Sequence, residues 1–194
     1  MSLLQAVPAV PAVPAATFDW NTLAAREHLV QIYVNESTLL DSLEQYVAAG
    51  IENGEVIVLI ATQAHLEALE ERLASSGFDI DGARSHQLYI TFDASDTLQK
   101  FMVRDWPDEA LFQHFVHRVI QRADGRRIRA FGEMVALLLA RGQTEAMLRL
   151  EYLWHRALER HDLLLFCAYP RAAFMPHMGS TVRDVYAAHS CVIS

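Results

Sequence analysis

Lysine is nearly absent from this chain: Lys100 is the single one among 16 basic residues. A phosphate-binding loop needs glycines whose amides converge on the phosphates, a lysine for charge, and a Ser or Thr for magnesium. After the first predicted strand the sequence offers Asn35-Glu36-Ser37-Thr38-Leu39-Leu40, with neither glycine nor lysine. Glu36 would set negative charge beside a triphosphate, so the turn argues against ordinary ATP hydrolysis. The helix that follows could still hold a weak anion on its free amides. No Gly-x-Gly-x-x-Gly follows the first strand and no Gly-x-Ser-x-Gly elbow occurs, which removes support for a dinucleotide site and for an α/β-hydrolase nucleophile.

Cysteine is scarce as well. Two residues are too few for a disulfide framework; Cys167 lies in the apolar run Leu163 to Tyr169 as a small core residue, and Cys191 lies near the terminus. That usage fits a reducing cytoplasm. Apolar runs are strand-sized, so no membrane span is expected, and the start lacks the pattern of a secretory signal. Acidic residues outnumber basic ones 24 to 16, a net charge of -8, which argues against nucleic acid or an anionic membrane as main partner. The local exception, Arg118, Arg122, Arg126, Arg127 and Arg129, reads as mainly a solvated face.

What is present is a chain long enough to bury roughly 70% of its unfolded surface in one domain. Residues 1–17 form a Val-Pro-Ala-repeating leader that favours extended polyproline-type backbone. The domain is expected over 18–194. Strands are predicted at His28–Val34, Val56–Ala61, Gln87–Phe92, Arg127–Phe131 and Leu163–Tyr169. Between and after them come helices at Thr38–Asn53, Thr62 onward, Ser95–Met102, Pro107 onward, Met134–Ala140, Thr144–His161 and Thr181–His189. Continuous apolar strands separated by helices require a mainly parallel sheet covered on both faces, a three-layer α/β/α sandwich.

Glu133, in Arg129-Ala130-Phe131-Gly132-Glu133-Met134-Val135, puts a carboxylate at the carboxyl end of a central strand, where open α/β sheets place their ligand crevice. It is either a ligand contact or a structural cap on the following helix. Strand ends converge on that edge and nominate Tyr33, Asn35, Glu36, Thr62, Asp93, Glu133 and Tyr169, with Ala61 and Phe92, as a candidate pocket for a small organic ligand. Tyr33 and Tyr169 serve equally as core aromatics, and Asp93 and Thr62 as helix starts. His114 and His117 could share a helix face, but no Cys or carboxylate pattern completes a metal set. His155 and His161 do not share a face, and His177 and His189 are scattered. His28 opens the first strand, at the opposite edge, as a structural histidine. Glu151, Trp154 and His155 are candidates for an exposed signalling face, with packing the alternative for Trp154. No catalytic residue, metal site or cofactor is nominated.

The segment Gly50 to Thr62, and the helix from it to Gly77-Phe78-Asp79, resembles the RecA/KaiC ATPase lineage. His28 with Tyr33 and Glu36, the Gly50–Thr62 segment, Phe131-Gly132-Glu133-Met134-Val135, Glu151 to Trp154 and Cys167-Ala168-Tyr169-Pro170 together look more like the MEDS family of methanogen/methylotroph, DcmR-type sensory domains. The resemblance spans about His28 to Pro170. It implies a non-catalytic sensor on a RecA/KaiC-like core without a Walker A loop. It also implies a small hydrocarbon-derived ligand and a histidine kinase or transcription regulator as partner. No kinase or DNA-binding segment is recognised, so the partner is expected to be a separate protein, met through the Val-Pro-Ala arm or the apolar end Val192-Ile193. A homodimer is a further option. Asp93 to Pro107, with Phe101, Met102 and Trp106, is a candidate lid. The competing expectation is residual nucleotide binding or a protein–protein interaction module.

Overall fold

The run Val56-Ile57-Val58-Leu59-Ile60-Ala61 has every residue buried, as a strand covered on both faces must. It is the third strand of the computed structural model, which describes residues 12–174 and 179–194. In chain order the strands of the main sheet are β1 (Ala12–Val13), β2 (His28–Tyr33), β3 (Val56–Ala61) and β4 (Tyr89–Asp93). A small hairpin, β5 (Met102–Val103) and β6 (Trp106–Pro107), intervenes before β7 (Ile128–Gly132), β8 (Leu163–Pro170) and β9 (Cys191–Ile193) rejoin the sheet. The sheet order is β1-β9-β2-β8-β7-β3-β4, with all neighbouring strands parallel.

Helices α1 (Glu36–Glu52), α2 (Gln63–Ser75) and α3 (Ile80–Ser85) cover one face. The other is covered by α4 (Ala94–Gln99), α5 (Glu109–Ala123), α6 (Met134–Ala140), α7 (Thr144–Arg160) and α8 (Gly179–Ala187). This is the expected three-layer sandwich. Side chains alternate between the two cores: Leu29, Ile57, Leu59, Phe131 and Phe166 join α1 and α2, whereas Val30, Val58, Ile60, Ala130 and Leu165 join α5 to α7. Each such fully buried aliphatic side chain stabilises the fold by about 1.5–3 kcal/mol. Among the described residues no helix is long and apolar enough to cross a membrane.

The chain leaves β3 toward one face, through α2, and the adjacent β7 toward the other, through α6. Such a reversal between neighbouring strands opens a crevice at their carboxyl ends. It sets the position of Thr62 and Glu133.

Several elements differ from the sequence expectation. Ala12–Val13, expected in a free leader, lies beside β9 as an edge strand, with the Ser194 amide donating to the Val13 carbonyl at 2.9 Å. The part of the Val-Pro-Ala repeat before Ala12 lies outside the described residues, as does His177. Val192 and Ile193, expected as a free apolar end, are buried in β9 between β1 and β2. The helix expected to reach Met102 stops at Gln99, and the hairpin begins at Met102. Gly179 and Ser180, ahead of the expected helix start at Thr181, open α8.

Arg129, grouped in the sequence with solvated arginines, is fully buried at 0% exposure; Arg118 and Arg122 are exposed. Its Nε donates to the Glu55 carboxylate, and its Nη1 donates to the carbonyls of Trp20 and Tyr46, both at 3.0 Å. Alternation along β7 forces this guanidinium into the α1 side of the core, so pairing is obligatory.

Candidate functional site at the carboxyl edge of the sheet

Glu133 extends the β3–β7 pairing past the end of β7, its amide donating to the Ile60 carbonyl at 2.9 Å. Alternation points its side chain, 4% exposed, to the α1–α2 face. There one carboxylate oxygen accepts the Thr62 amide at 2.6 Å, and the other lies 2.5 Å from His65 Nδ1. Glu133 therefore caps the first turn of α2, 71 residues away in sequence, and not the helix that follows it; at α6 it makes no side-chain cap bond. Thr62 occupies the N-cap position of α2 and its own side chain makes no cap bond; the carboxylate takes the Thr62 amide, just ahead of the helix, and the His65 imidazole in its first turn. Negative charge on a helix N-terminus is stabilising in itself.

The hydrogen bond that the His65 imidazole donates to Glu133 raises the His65 pKa against the opposing effect of burial. Burial, then the charges of Glu133 and Glu36, push the Tyr33 hydroxyl up to about 12. Tyr33, Glu36, Thr62, His65 and Glu133 thus form one electrostatically linked group. Its chemistry is that of an anion site filled by the chain's own carboxylate. An incoming phosphate would have to displace Glu133 from these donors and face Glu36.

The other nominated residues do different things. Asn35 caps α1, its Oδ1 accepting from the Thr38 amide at 2.9 Å, and Asp93 caps α4 by accepting from the Asp96 amide at 2.9 Å. Tyr169 does not join the group: it points into the core of the opposite face, fully buried, and donates to Glu151. The expected signalling face on α7 is likewise corrected. Glu151 and Trp154 are 2% and 4% exposed, and only His155 of the three reaches solvent.

An open cleft lies one strand further along the same edge, between β4 and α5. Phe92, Leu111, Phe115 and Val119 form its apolar wall, and Lys100, His114, Arg118 and Arg122 complete its lining, around a cavity of about 230 Å3. Lys100 Nζ stands 5.7 Å from the centre of the Phe92 ring. Phe115 and Val119 also line a narrow apolar slit below, bounded by Val58, Ile60, Ala130 and Trp154. Sequence reading named Phe92 here but missed the α5 wall and missed His65. The available signals were an imidazole in the first turn of a helix at the ligand edge and a lone lysine after β4.

Solved structures place the fold. An uncharacterized protein from Pyrococcus horikoshii, crystallised in complex with an unknown peptide, matches with a TM-score of 0.62 at 12% identity, over 88% of this chain and 77% of that one. A KaiC-like protein from the hyperthermophilic archaeon Pyrococcus horikoshii OT3 matches with a TM-score of 0.54 at 16% identity, over 84% of this chain and 74% of that one. These likenesses establish a RecA/KaiC-like architecture. No curated protein matches the chain. The sequence profile of the MEDS domain, described as the methanogen/methylotroph, DcmR sensory domain, matches residues 27–190, and the chain belongs to that family.

Proposed function

We propose that this chain is a non-catalytic sensory domain that takes a small, largely apolar organic molecule in the cleft between β4 and α5 and relays its presence to a separate regulator or kinase. Membership of a sensory family supports the signalling role. The observation that carries the ligand class is the cleft itself, with an aromatic and aliphatic wall and cationic groups at Lys100, Arg118 and Arg122. At about 230 Å3 the cavity suits a ligand of few heavy atoms. Burying roughly 150 Å2 of apolar surface at ~25 cal/mol per Å2 gives about 4 kcal/mol of gross stabilisation, from which the cost of immobilising the ligand is subtracted, so binding is expected to be weak. A nucleotide fits poorly, because the helix N-terminus at the sheet crossover already carries Glu133.

The hairpin β5–β6 adjoins Lys100 and leaves Val103 and Trp106 exposed at 47% and 45%. It is the element we assign to relay binding, since a ligand drawing Lys100 inward favours one hairpin position over another. Thermal-shift measurements with butyrate, 1-butanol, dichloromethane and ATP–magnesium test the reading. Stabilisation by the organics, lost in Val119→Phe, is expected. Stabilisation by ATP–magnesium alone would reverse the order in favour of residual nucleotide binding. No response to any probe would favour a protein-interaction module.

A further inference from the structure

At the amino edge of the sheet, opposite the cleft and independent of it, four side chains distant in sequence meet. His28 opens β2, Glu151 lies on α7, Cys167 on β8, and His189 between α8 and β9; their donor atoms all lie within 4.8 Å of one another and all four residues are buried. His28 Nε2 lies 3.4 Å from both Cys167 Sγ and Glu151 Oε2. His189 Nε2 lies 3.7 Å from Glu151 Oε1, and Cys167 Sγ 4.0 Å from Glu151 Oε2. We propose that these residues form a metal site for a zinc-type divalent cation, held by two imidazoles, one thiolate and one carboxylate.

The geometry carries this. A tetrahedral zinc with bonds of about 2.0–2.3 Å to N, O and S sets its donors roughly 3.3–3.6 Å apart. The spacings of 3.4, 3.4, 3.7 and 4.0 Å lie within a few tenths of an ångström of that range, and with every donor atom within 4.8 Å of the others, closing on an ion takes side-chain shifts of about an ångström or less per donor. His189 is already oriented for the role. Its Nδ1 donates to the Val185 carbonyl at 2.6 Å, so the proton resides there and Nε2 presents a lone pair. That Nε2, wholly buried, makes no hydrogen bond in the described structure. Tyr169 donates to Glu151, the outer contact that orients a ligating carboxylate. A core that wanted only apolar packing has no use for four such groups on facing elements.

The donor set selects the ion. A thiolate with imidazoles suits zinc and related late transition ions and excludes magnesium and calcium, which want oxygen. Ligation leaves Cys167 as thiolate, its proton passing to solvent. Four protein donors make a closed structural site, not an open catalytic one. A groove of about 390 Å3, with His28 and His189 lining it beside Arg26, His155, Glu159 and Ala188, gives the ion its way in. Bound metal would fasten the C-terminal segment that carries His189 to β2, β8 and α7.

The full chain, stripped with chelator and titrated with zinc chloride against a competing chromogenic chelator, provides the test. One zinc per chain is expected, with a melting temperature that rises on loading. Cys167→Ala and His189→Gln should each weaken binding at least tenfold, and the exposed His86→Ala should not. Cobalt(II) loading of the wild type should give a thiolate-to-metal charge-transfer absorption and tetrahedral d–d bands. That spectrum decides the matter even if a variant fails to fold. Zinc retained with unchanged affinity by folded Cys167→Ala or His189→Gln, or cobalt bound without the thiolate band, would reduce the cluster to a hydrogen-bonded core network.

Discussion

Glu133 and His65 come from different layers of the sequence, 68 positions apart, and meet at 2.5 Å on the first turn of α2. The carboxylate occupies the place at the crossover of β3 and β7 where a helix N-terminus would otherwise receive an external anion. The acceptor at that position is a side chain of the protein itself.

Replacing Glu133 by Gln keeps a carbonyl acceptor for the Thr62 amide but removes the charge. Stability should fall by about 1–2 kcal/mol, from the weaker cap and the weaker bond to His65. Denaturant unfolding measures it. The response to ligands of the β4–α5 cleft should be unchanged, since the side-chain partners of Glu133, Thr62 and His65, do not line it.

The same pair predicts a pH dependence. The folded-state pKa of His65 lies above its ordinary value of 6.5. Its contribution is therefore fully present below that value and is lost as pH rises through the folded pKa. Melting temperatures from pH 6 upward should show this decline in the wild type and a flatter profile in Glu133→Gln. Histidine NMR titration should show the His65 pKa dropping toward its ordinary value in the variant.

Gly50→Ala reverses the usual rule for helices. Alanine ordinarily gains about 1 kcal/mol over glycine in a helix interior. Here an added Cβ would lie 2.5 Å from Ile57 Cδ1 and 2.7 Å from Arg129 Cδ. Both side chains are locked in the core, Arg129 by its bonds to Glu55, Trp20 and Tyr46. A net loss of about 1–3 kcal/mol is expected on chemical unfolding.

Arg129→Ala strands Glu55 in the core, with the more exposed Arg127 at 3.3 Å as its remaining partner. The expected cost is about 3–5 kcal/mol. A double replacement of Arg129 and Glu55 by apolar residues should recover much of it, because the pair's value lies in mutual compensation. A double-mutant cycle gives the coupling.

The layer architecture was legible because β3 and β8 are unbroken apolar runs, which sequence period alone assigns to a doubly covered sheet. Register was not. Gly132 pairs with Cys167, so Glu133 shares its face with Ala168 while Tyr169 points the other way. Two residues at the same edge thus serve different cores. The β5–β6 hairpin escaped notice because its strands are two residues each and its turn uses Arg104 and Asp105 at φ 50° and 63°, where Asn and Gly would be the recognisable signal. His28, Glu151, Cys167 and His189 span the chain from end to end, and only tertiary folding joins them. A trace remained in α7, where Glu151 falls on the buried stripe between Met147 and Trp154.

The strained turn offers a handle on the relay. Asp105→Gly should stabilise the hairpin by about 0.4–1 kcal/mol, since glycine adopts positive φ freely. If the hairpin shifts on ligand binding, limited proteolysis at 102–107 should slow when butyrate is present and slow further in the variant. Cleavage insensitive to every bound ligand would remove the hairpin from the relay.

Backbone amide NMR shifts of the full chain, titrated in parallel with butyrate and with ATP–magnesium, measure the location of binding directly. Saturable shifts at Phe92, Lys100, Phe115 and Val119 with butyrate, and none with ATP–magnesium, are predicted. Saturable ATP–magnesium shifts centred on Tyr33–Thr38 and Thr62–Leu66, with the cleft silent, would contradict the account.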